Sequence, residues 1–378
     1  MANIVGGGTP STKESSYWNG DINWFTPNEI GDSKYVKDSL RRITEKGLNN
    51  SSAQLLPANK TILFTSRATI GTIGILEEEA STNQGFQSLI VNDFNDVNFL
   101  YYKLLTMKKL FLKNSVGSTF LEISGKTMKK IDINIPSKTE QEKIGKLLSK
   151  IDKAISLHKR KIYYMKFYFR FLNQYILEDN EPKRKLRFKN YRNEWLNTKL
   201  EEITYYKNGK GHEEQQKEFG NYELVNLNSV SLDGVLKSSN QFINSPEDLL
   251  IKNDIVMILS DIAKGNLLGK CALIDRDEYY VLNQRVALLR PRENINSLFL
   301  KYFLNNNQKY FKSRGQGTSQ LNLSKKDVVE FRANYPSIDE QGDIANYLLT
   351  YENLLVYYKN KIKTLEKLKI LYLDKMFI

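Results

Sequence analysis

Two stretches of the chain place apolar residues at alternating spacings of four and three. In the first, Ile144, Leu148, Ile151, Ile155, His158, Ile162, Met165, Phe169, Leu172 and Ile176 fall on the a and d positions of a heptad, and nine of the ten are apolar. In the second, Ile344, Leu348, Tyr351, Leu355, Tyr358, Ile362, Leu365, Lys369, Tyr372 and Met376 repeat the pattern, again with nine apolar or aromatic residues of ten. Gly and Pro are scarce in both runs, so the spacing predicts long helices over 138 to about 178 and over 338 to 378. Each seam calls for a partner along its whole length. The simplest partner is the other helix, antiparallel, forming a rod of roughly 50 Å at about 1.5 Å per residue. The plainer alternative is two amphipathic helices, each lying on its own globule.

The displacement of 200 residues that relates the helices also relates what precedes them. Gly117-Ser118-Thr119-Phe120-Leu121-Glu122-Ile123-Ser124 aligns with Gly317-Thr318-Ser319-Gln320-Leu321-Asn322-Leu323-Ser324. Asn83-Gln84 aligns with Asn283-Gln284, Pro136-Ser137 with Pro336-Ser337, and Glu140-Gln141 with Glu340-Gln341. Asn59 and Ser66 match Asn253 and Ser260 at a displacement of 194, so the second copy carries six more residues, which belong in loops. Within each copy, short β-type runs such as Thr61–Thr65 and Ile255–Leu259 alternate with Gly, Asn and Asp turns. The expected fold is therefore α+β. Two mixed α/β domains, 1–137 and 183–337, alternate with helical segments 138–182 and 338–378, which pair as an antiparallel coiled coil in a pseudo-twofold internal repeat.

Composition narrows the function. With 378 residues, 40% hydrophobic and 26% charged, the chain has material for real cores, and its net charge of +13 favours a polyanionic partner. No apolar run approaches the roughly 20 residues of a membrane span, and Met1 opens on a polar, Gly-rich stretch, so a cytoplasmic protein without a membrane partner is expected. Cys271 is the only cysteine, which excludes an intrachain disulfide and multi-Cys zinc patterns. Gly125-Lys126-Thr127 has Phe120 where a P-loop needs its first Gly, and Gly6-Gly7-Gly8-Thr9-Pro10 reads as a turn. No acidic-x-Lys element follows Pro246-Glu247-Asp248, and the two histidines, His158 and His212, sit in a helical seam and a charged loop. These readings point to a noncatalytic binding protein that needs no cofactor or metal of its own.

Four features stand in fixed order around the two helices, three of them in both copies. They are S-x-A-x-x-G at Ser66–Gly71, Asn-Gln at 83 and 283, Gly followed by Ser or Thr at 117 and 317, and Pro-x(4)-Gln before each heptad run. In this order the whole chain resembles the specificity (S) subunit of Type I restriction-modification enzymes. The resemblance implies that each globule is a target recognition domain reading one half of a split double-stranded DNA sequence. It implies that the helices space the two domains and dock two methyltransferase subunits, with restriction/translocase subunits completing the complex. Methyl transfer from S-adenosylmethionine and ATP-driven cleavage would belong to those partners. One departure is that Lys183–Glu202, which leads into the second globule, has no counterpart ahead of the first, so the first domain is expected to be N-terminally shortened. The competing readings are a freestanding DNA-binding regulator and a coiled-coil scaffold with no nucleic-acid role.

The repeat also sorts candidate contacts. Two recognition domains usually read different half-sites, so residues common to both copies serve the fold or contact phosphate, whereas base readers differ between copies. Asn83, Gln84, Asn283 and Gln284 are common, as are the hydroxyl pairs Ser118-Thr119 and Thr318-Ser319. Arg67, Arg285, Arg314, Gln316 and Gln320 are not. Arg suits the guanine O6/N7 edge and Gln the adenine N6/N7 edge, because each makes paired hydrogen bonds in the major groove.

Overall fold

The computed structural model describes residues 1–117, 121–177, 186–244, 248–262 and 265–377. The chain forms two compact units, Met1–Arg160 with Lys359–Ile378, and Lys161–Tyr358. Each is described separately.

In the first unit the elements are β1 (Ala2–Gly6), β2 (Trp18–Phe25), β3 (Tyr35–Val36), β4 (Arg41–Ile43), α1 (Glu45–Asn49), β5 (Thr61–Phe64), β6 (Ile73–Leu76), β7 (Ala80–Thr82), β8 (Gln87–Val91), α2 (Val97–Thr106), α3 (Lys108–Lys113), α4 (Gly125–Met128) and the first part of α5 (Lys138–Leu177). A five-stranded sheet runs in the order β1-β8-β5-β6-β3, and a smaller one in the order β4-β2-β7. All four residues of β5 are buried, because the sheet is covered on both faces. Its period-two alternation sends Ile62 and Phe64 to the side packed by Phe99, Tyr102 and Phe111, and Leu63 to the side packed by Phe25 and Phe86.

The second unit repeats this plan with β10 (Thr204–Asn208), β11 (Tyr222–Val225), β12 (Phe242–Ile243), β13 (Ile255–Ile258), β14 (Ser260–Ile262), β15 (Cys271–Leu273), β16 (Tyr280–Leu282), β17 (Val286–Pro291), α7 (Ser297–Asn306), α8 (Gln308–Arg314), β18 (Gln320–Asn322) and α9 (Lys325–Val329). Its main sheet has the order β10-β17-β13-β15. Ahead of it come β9 (Leu196–Lys199) and α6 (Leu200–Ile203), and β9 pairs antiparallel with β19 (Arg332–Tyr335), just before α10 (Ile338–Met376).

The pairing shows where the copies fall out of step. Asn59 and Asn253 occupy the same left-handed turn, with φ of 58° and 71°, and donate to Leu76 O and Ile274 O. Beyond this turn, Ser66 does not correspond to Ser260. Ser66 N donates to Gly85 O and its carbonyl accepts from Ile123, whereas in the second unit Leu259 makes both bonds, to Arg285 and from Leu323. Ile62 pairs with Ile75 and Leu89 as Ile255 pairs with Leu273 and Leu289, but Ile62 lies three residues after Asn59 and Ile255 two after Asn253, so the register moves by one. The second copy's added residues lie in the turns on either side of β15.

The heptad seam holds. No a or d position from Ile144 to Ile176 or from Ile344 to Met376 is exposed, and Leu148, Ile151, Ile155, Leu348, Leu355 and Ile362 are buried, with Ile162 and Leu365 half-buried. In the first unit Asp152 meets Lys369 at 2.7 Å and Lys159 meets Glu366 at 2.9 Å, so rising numbers on α5 meet falling numbers on α10. In the second, Lys161 donates to the Tyr358 hydroxyl at 2.6 Å and Phe169 stacks on Tyr351. The helices are therefore antiparallel partners, which replaces the alternative of separate helices on separate globules. In each unit the end of the other repeat's helix also enters the core. Tyr372, Leu373, Met376 and Phe377 pack with Phe99 and Leu148, and Phe169, Leu172, Ile176 and Leu177 pack with Phe299 and Leu348.

Polar groups fasten each globule to its own helix. Gln141 and Gln341, the glutamines of Pro-x(4)-Gln, are buried. Each amide accepts from the N-cap residue of the preceding helix, Asp96 or Asn296, and donates to the carbonyl of Pro136 or Pro336. Deeper in, Tyr102 donates to Asp152 at 2.6 Å and Tyr302 to Glu352 at 2.7 Å, the same tie in both copies. The neighbouring cations differ. Lys34 and Lys369 serve the first junction, and Lys301 the second. Burial pulls Lys34 down to about 8, against the opposing pull of Asp152 and Asp96 and with a smaller push from Lys369.

Two outcomes follow from this packing. Replacing both Ile151 and Ile155 by Glu places carboxylates in the seam and lowers stability by several kcal/mol, read as a lower Tm by circular dichroism. An unchanged Tm would contradict the buried seam. The Lys34 ammonium is disfavoured in the fold, so between pH 8 and 10 the unfolded chain binds more protons there and stability rises with pH. In Lys34→Met this rise is smaller than in the parent chain by urea titration, and equal slopes would place Lys34 in solvent.

Candidate nucleic-acid interface

Three turns meet at one end of each main sheet. In the first unit they are the β5–β6 turn, the β7–β8 turn and the loop after α3. Ser66 N donates to Gly85 O, Ile123 N to Ser66 O, and Arg67 bridges Glu122. In the second unit Leu259 joins the Arg285 turn to Leu323, while Gln316 and Asn322 close the loop between them with paired backbone bonds.

The asparagines of the Asn-Gln turns face inward and hold the turns. Asn83 Oδ1 accepts from Gly85 N at 2.9 Å, and Asn283 Oδ1 accepts from Gln284 N at 2.8 Å. Each turn lies against a glycine, Gly7 or Gly209, at which a Cβ would lie 1.9 Å from the Asn83 or Asn283 carbonyl oxygen. Gly6 ends β1, and Gly7 lets the chain that follows pass close to the Asn83 turn. Gln84 accepts from Thr9 Oγ1 at 2.6 Å, and the Gln284 amide bonds Glu213.

The residues that differ between the copies divide into two groups. The Gln320 amide bonds Ser260 across the β14–β18 ladder and Asn322 on its own strand, and Arg67 is paired with Glu122 at 2.9 Å. Arg285, Arg314 and Gln316 are exposed, with Arg314 lying over the Tyr310 ring at 5.0 Å. Thr318 and Ser319 are exposed beside Gly317, whose φ of 124° matches the 125° of Gly117, while Ser118 and Thr119 lie outside the described residues. Gly125-Lys126-Thr127 opens the single-turn helix α4 under a Ser124 cap. Asp248 pairs with Lys207, His212 is buried, and Pro246 and Glu247 fall outside the described residues.

Four lysines complete the surface. Lys109 and Lys309 on α3 and α8, and Lys126 and Lys326 on α4 and α9, are exposed at the same displacement of 200 and meet no carboxylate among the described residues. Their numbers alone would have revealed them, since they obey the repeat that picked out Asn83 and Asn283. An uncompensated cation at the same place in both copies suits a ligand group common to both sites, such as a phosphate.

A family model for the Type I restriction modification DNA specificity domain matches residues 1–163 and 192–367. The chain belongs to that family. Among its relatives, the Type I restriction enzyme MjaIX specificity subunit of Methanocaldococcus jannaschii is 42% identical over 164 residues, which are 42% of this chain and 38% of the relative. The MjaVIII specificity subunit of the same organism is 26% identical over 300 residues, 74% of this chain and 68% of the relative. The EcoR124I/EcoR124II specificity subunit of Escherichia coli is 28% identical over 153 residues, and that match, like the MjaIX one, spans 38% of the relative's length. The S subunit from M. genitalium shares the fold with a TM-score of 0.62 at 18% identity, covering 99% of this chain and 96% of that one. The HsdS subunit from Thermoanaerobacter tengcongensis does so with a TM-score of 0.52 at 15% identity, covering 99% and 94%.

Within this specificity-domain fold one turn residue is held at a cost. Arg285 has φ of 68°, in the left-handed region, whereas its counterpart Gly85 is not left-handed, so the two turns differ in backbone at this position. A non-glycine residue there costs on the order of 1 kcal/mol. Arg285→Gly therefore raises stability by up to about 1 kcal/mol in urea titration. A loss of that size instead would mean that the guanidinium supports the turn.

Proposed function

We propose that this chain is the noncatalytic DNA-recognition subunit of a Type I restriction-modification complex. Each unit reads one half of a bipartite double-stranded target. Two methyltransferase subunits and the restriction subunits dock on the same chain and supply the chemistry in the cytoplasm. The observation that carries the reading is the split at the turn clusters. Exposed lysines that meet no carboxylate among the described residues recur at the same displacement in both copies, while the exposed arginines and glutamine of the turns and loops differ, as expected when a common backbone is gripped and unlike bases are read. The net charge of +13 has the sign such a ligand needs. For the protein partners, Tyr164, Tyr168 and Phe171 line one exposed face of α5, an aromatic stripe suited to a subunit interface.

In this reading Lys109, Lys126, Lys309 and Lys326 contact phosphates, Arg285, Arg314 and Gln316 approach base edges, and Arg67 exchanges Glu122 for DNA. Asn83, Asn283 and Gln320 serve the framework. Lys309→Ala should weaken binding to all sequences alike and flatten the salt dependence by about 0.9 in log–log slope. Arg314→Ala should cost roughly 1 to 3 kcal/mol on the cognate target and relax preference at one position. Titrations on cognate and scrambled duplexes at several salt concentrations separate the two, and no effect from either substitution would remove these residues from the interface.

The deciding experiment is an exchange. Replacing Leu196–Tyr335 by the corresponding segment of a relative with another target should change one half of the methylated sequence and leave the other. Mapping methylated adenines in a host that also carries the methyltransferase subunit reads the result. A change in both halves, or in neither, would overturn the assignment of one half-site to each unit.

A further inference from the structure

Beside the turn cluster of the first unit, a guanidinium lies on two indole rings. Arg41, on β4, sits 3.8 Å from the Trp18 ring centre and 5.3 Å from that of Trp24, and the two indoles meet edge to face at 5.1 Å. Trp24 is buried and Trp18 half-buried, while Arg41 is exposed. Arg42 beside it pairs with Asp38 at 3.3 Å, whereas Arg41 meets no carboxylate among the described residues. A guanidinium held on indole faces has lost part of its rotamer freedom before any ligand arrives. Both rings are tied to the turns of the nucleic-acid interface. Trp24 Nε1 donates to Gly8 O at 2.9 Å, and Trp18 Nε1 to Ser11 O at 3.1 Å. The stretch holding these acceptors is itself fixed to the Asn-Gln turn, since Gly8 N donates to Thr82 O at 2.8 Å and Thr9 Oγ1 to Gln84 at 2.6 Å.

The second copy shows what kind of position this is. Ser39 N donates to Asn23 Oδ1, and its hydroxyl to Arg41 O at 2.6 Å. At a displacement of 200, Ser239 N donates to Glu223 Oε1, and its hydroxyl to Gln241 O at 3.3 Å. The strand registers agree, with Asn23 opposite Arg42 and Glu223 opposite Phe242. The backbone is thus hydrogen-bonded alike in both copies, and it carries Arg41 in one and Gln241 in the other. Gln241 is half-buried, its amide oxygen accepts from Asn226 at 2.6 Å, and Leu224 stands where the first copy has Trp24. A shared backbone position that bears unlike side chains beside the turn cluster is where a difference in base preference belongs.

We propose that Arg41 is a specificity-determining residue that reads a guanine in the half-site of the first unit. From its seat on Trp18 and Trp24 it makes paired hydrogen bonds to O6 and N7 in the major groove. Trp18 and Trp24 are positioning residues, which hold the guanidinium without touching the base. The chemistry calls for arginine here, since a lysine ammonium could rest on the same rings but has no planar fork to match the guanine edge. This assignment rests on the reading of the chain as a DNA-recognition subunit and adds to it a residue on the small sheet, outside the turns themselves.

The test uses the full chain in complex with its methyltransferase subunits. Mapping methylated adenines gives the target, and competition binding of duplexes with single base-pair changes ranks each position. In the half-site left unaltered by the Leu196–Tyr335 exchange, one G·C pair should be preferred by at least about fivefold, and Arg41→Ala and Arg41→Lys should both lose that preference while every other position keeps its rank. Arg41→Lys keeps a cation for the rings, so a loss confined to one base pair in that variant does not come from a loosened fold. Replacing the guanine by 7-deazaguanine, which lacks the N7 acceptor, should weaken binding by the parent chain and leave Arg41→Ala unaffected. Equal weakening on all duplexes with a flatter salt dependence would make Arg41 a phosphate contact and overturn the proposal, as would a preference lost in the other half-site. If the parent complex selected no duplex, the reading as a DNA-recognition subunit would fall; if the parent selected and both variants selected alike, only the role of Arg41 would fall.

Discussion

The structure depends on a reciprocal burial. The first unit's core is completed by Tyr372, Leu373, Met376 and Phe377 from the end of α10, and the second unit's by Phe169, Leu172, Ile176 and Leu177 from the end of α5. Phe377, 9% exposed, lies on Phe99, and Leu177 is fully buried beside Phe299. A fully buried side chain of this size contributes about 1.5 to 3 kcal/mol relative to exposure, so each unit would lose a large fraction of a typical stability without its borrowed helix end. Helix pairing is therefore part of what makes each globule a folded body, and the first body joins two separate stretches of sequence, Met1–Arg160 and Lys359–Ile378.

The same constraint explains why the two polar junctions are alike in one part and unlike in another. The tyrosine-to-carboxylate bond, Tyr102 to Asp152 and Tyr302 to Glu352, lies between a globule and its own helix and appears in both copies. The cations that neutralise the carboxylates come from different elements: Lys369 from the borrowed helix in one unit, Lys301 from α7 in the other. Where the first unit has Lys369 the second has Phe169, which lies against Tyr302 and Tyr351. Each half-buried carboxylate is matched by a cation, but where that cation comes from is left open.

Much of the fold was legible because it is written in spacing. Heptads and a constant displacement need no knowledge of side-chain destinations, and they gave the long helices, their pairing and the duplicated α+β plan. Ser66 shows the limit. Its identity matched Ser260, yet hydrogen bonding aligns it with Leu259, since one extra residue in a strand entry leaves composition almost untouched while moving every partner. The candidate site was less legible for a related reason. Gln320 has the chemistry of a base reader and Asn283 that of a framework or phosphate residue, and their amides are turned to Ser260 and to Gln284 N, a matter of rotamer and neighbour rather than residue type. Lys109 and Lys309 carry the repeat as plainly as the Asn-Gln pairs but stand among many other lysines, and only exposure without a carboxylate partner among the described residues marks them out.

The left-handed backbone at Arg285 limits which residues can ever stand in that turn. A branched side chain such as Val, Ile or Thr is excluded by clash with its own backbone, whereas Gly, Asn and Asp enter readily and an unbranched Arg is tolerated at a cost. The position therefore has a short alphabet set by geometry. Divergence of this chain at that turn would move among small, amide and carboxylate side chains, and a change of specificity that required a β-branched contact would have to arise elsewhere on the surface.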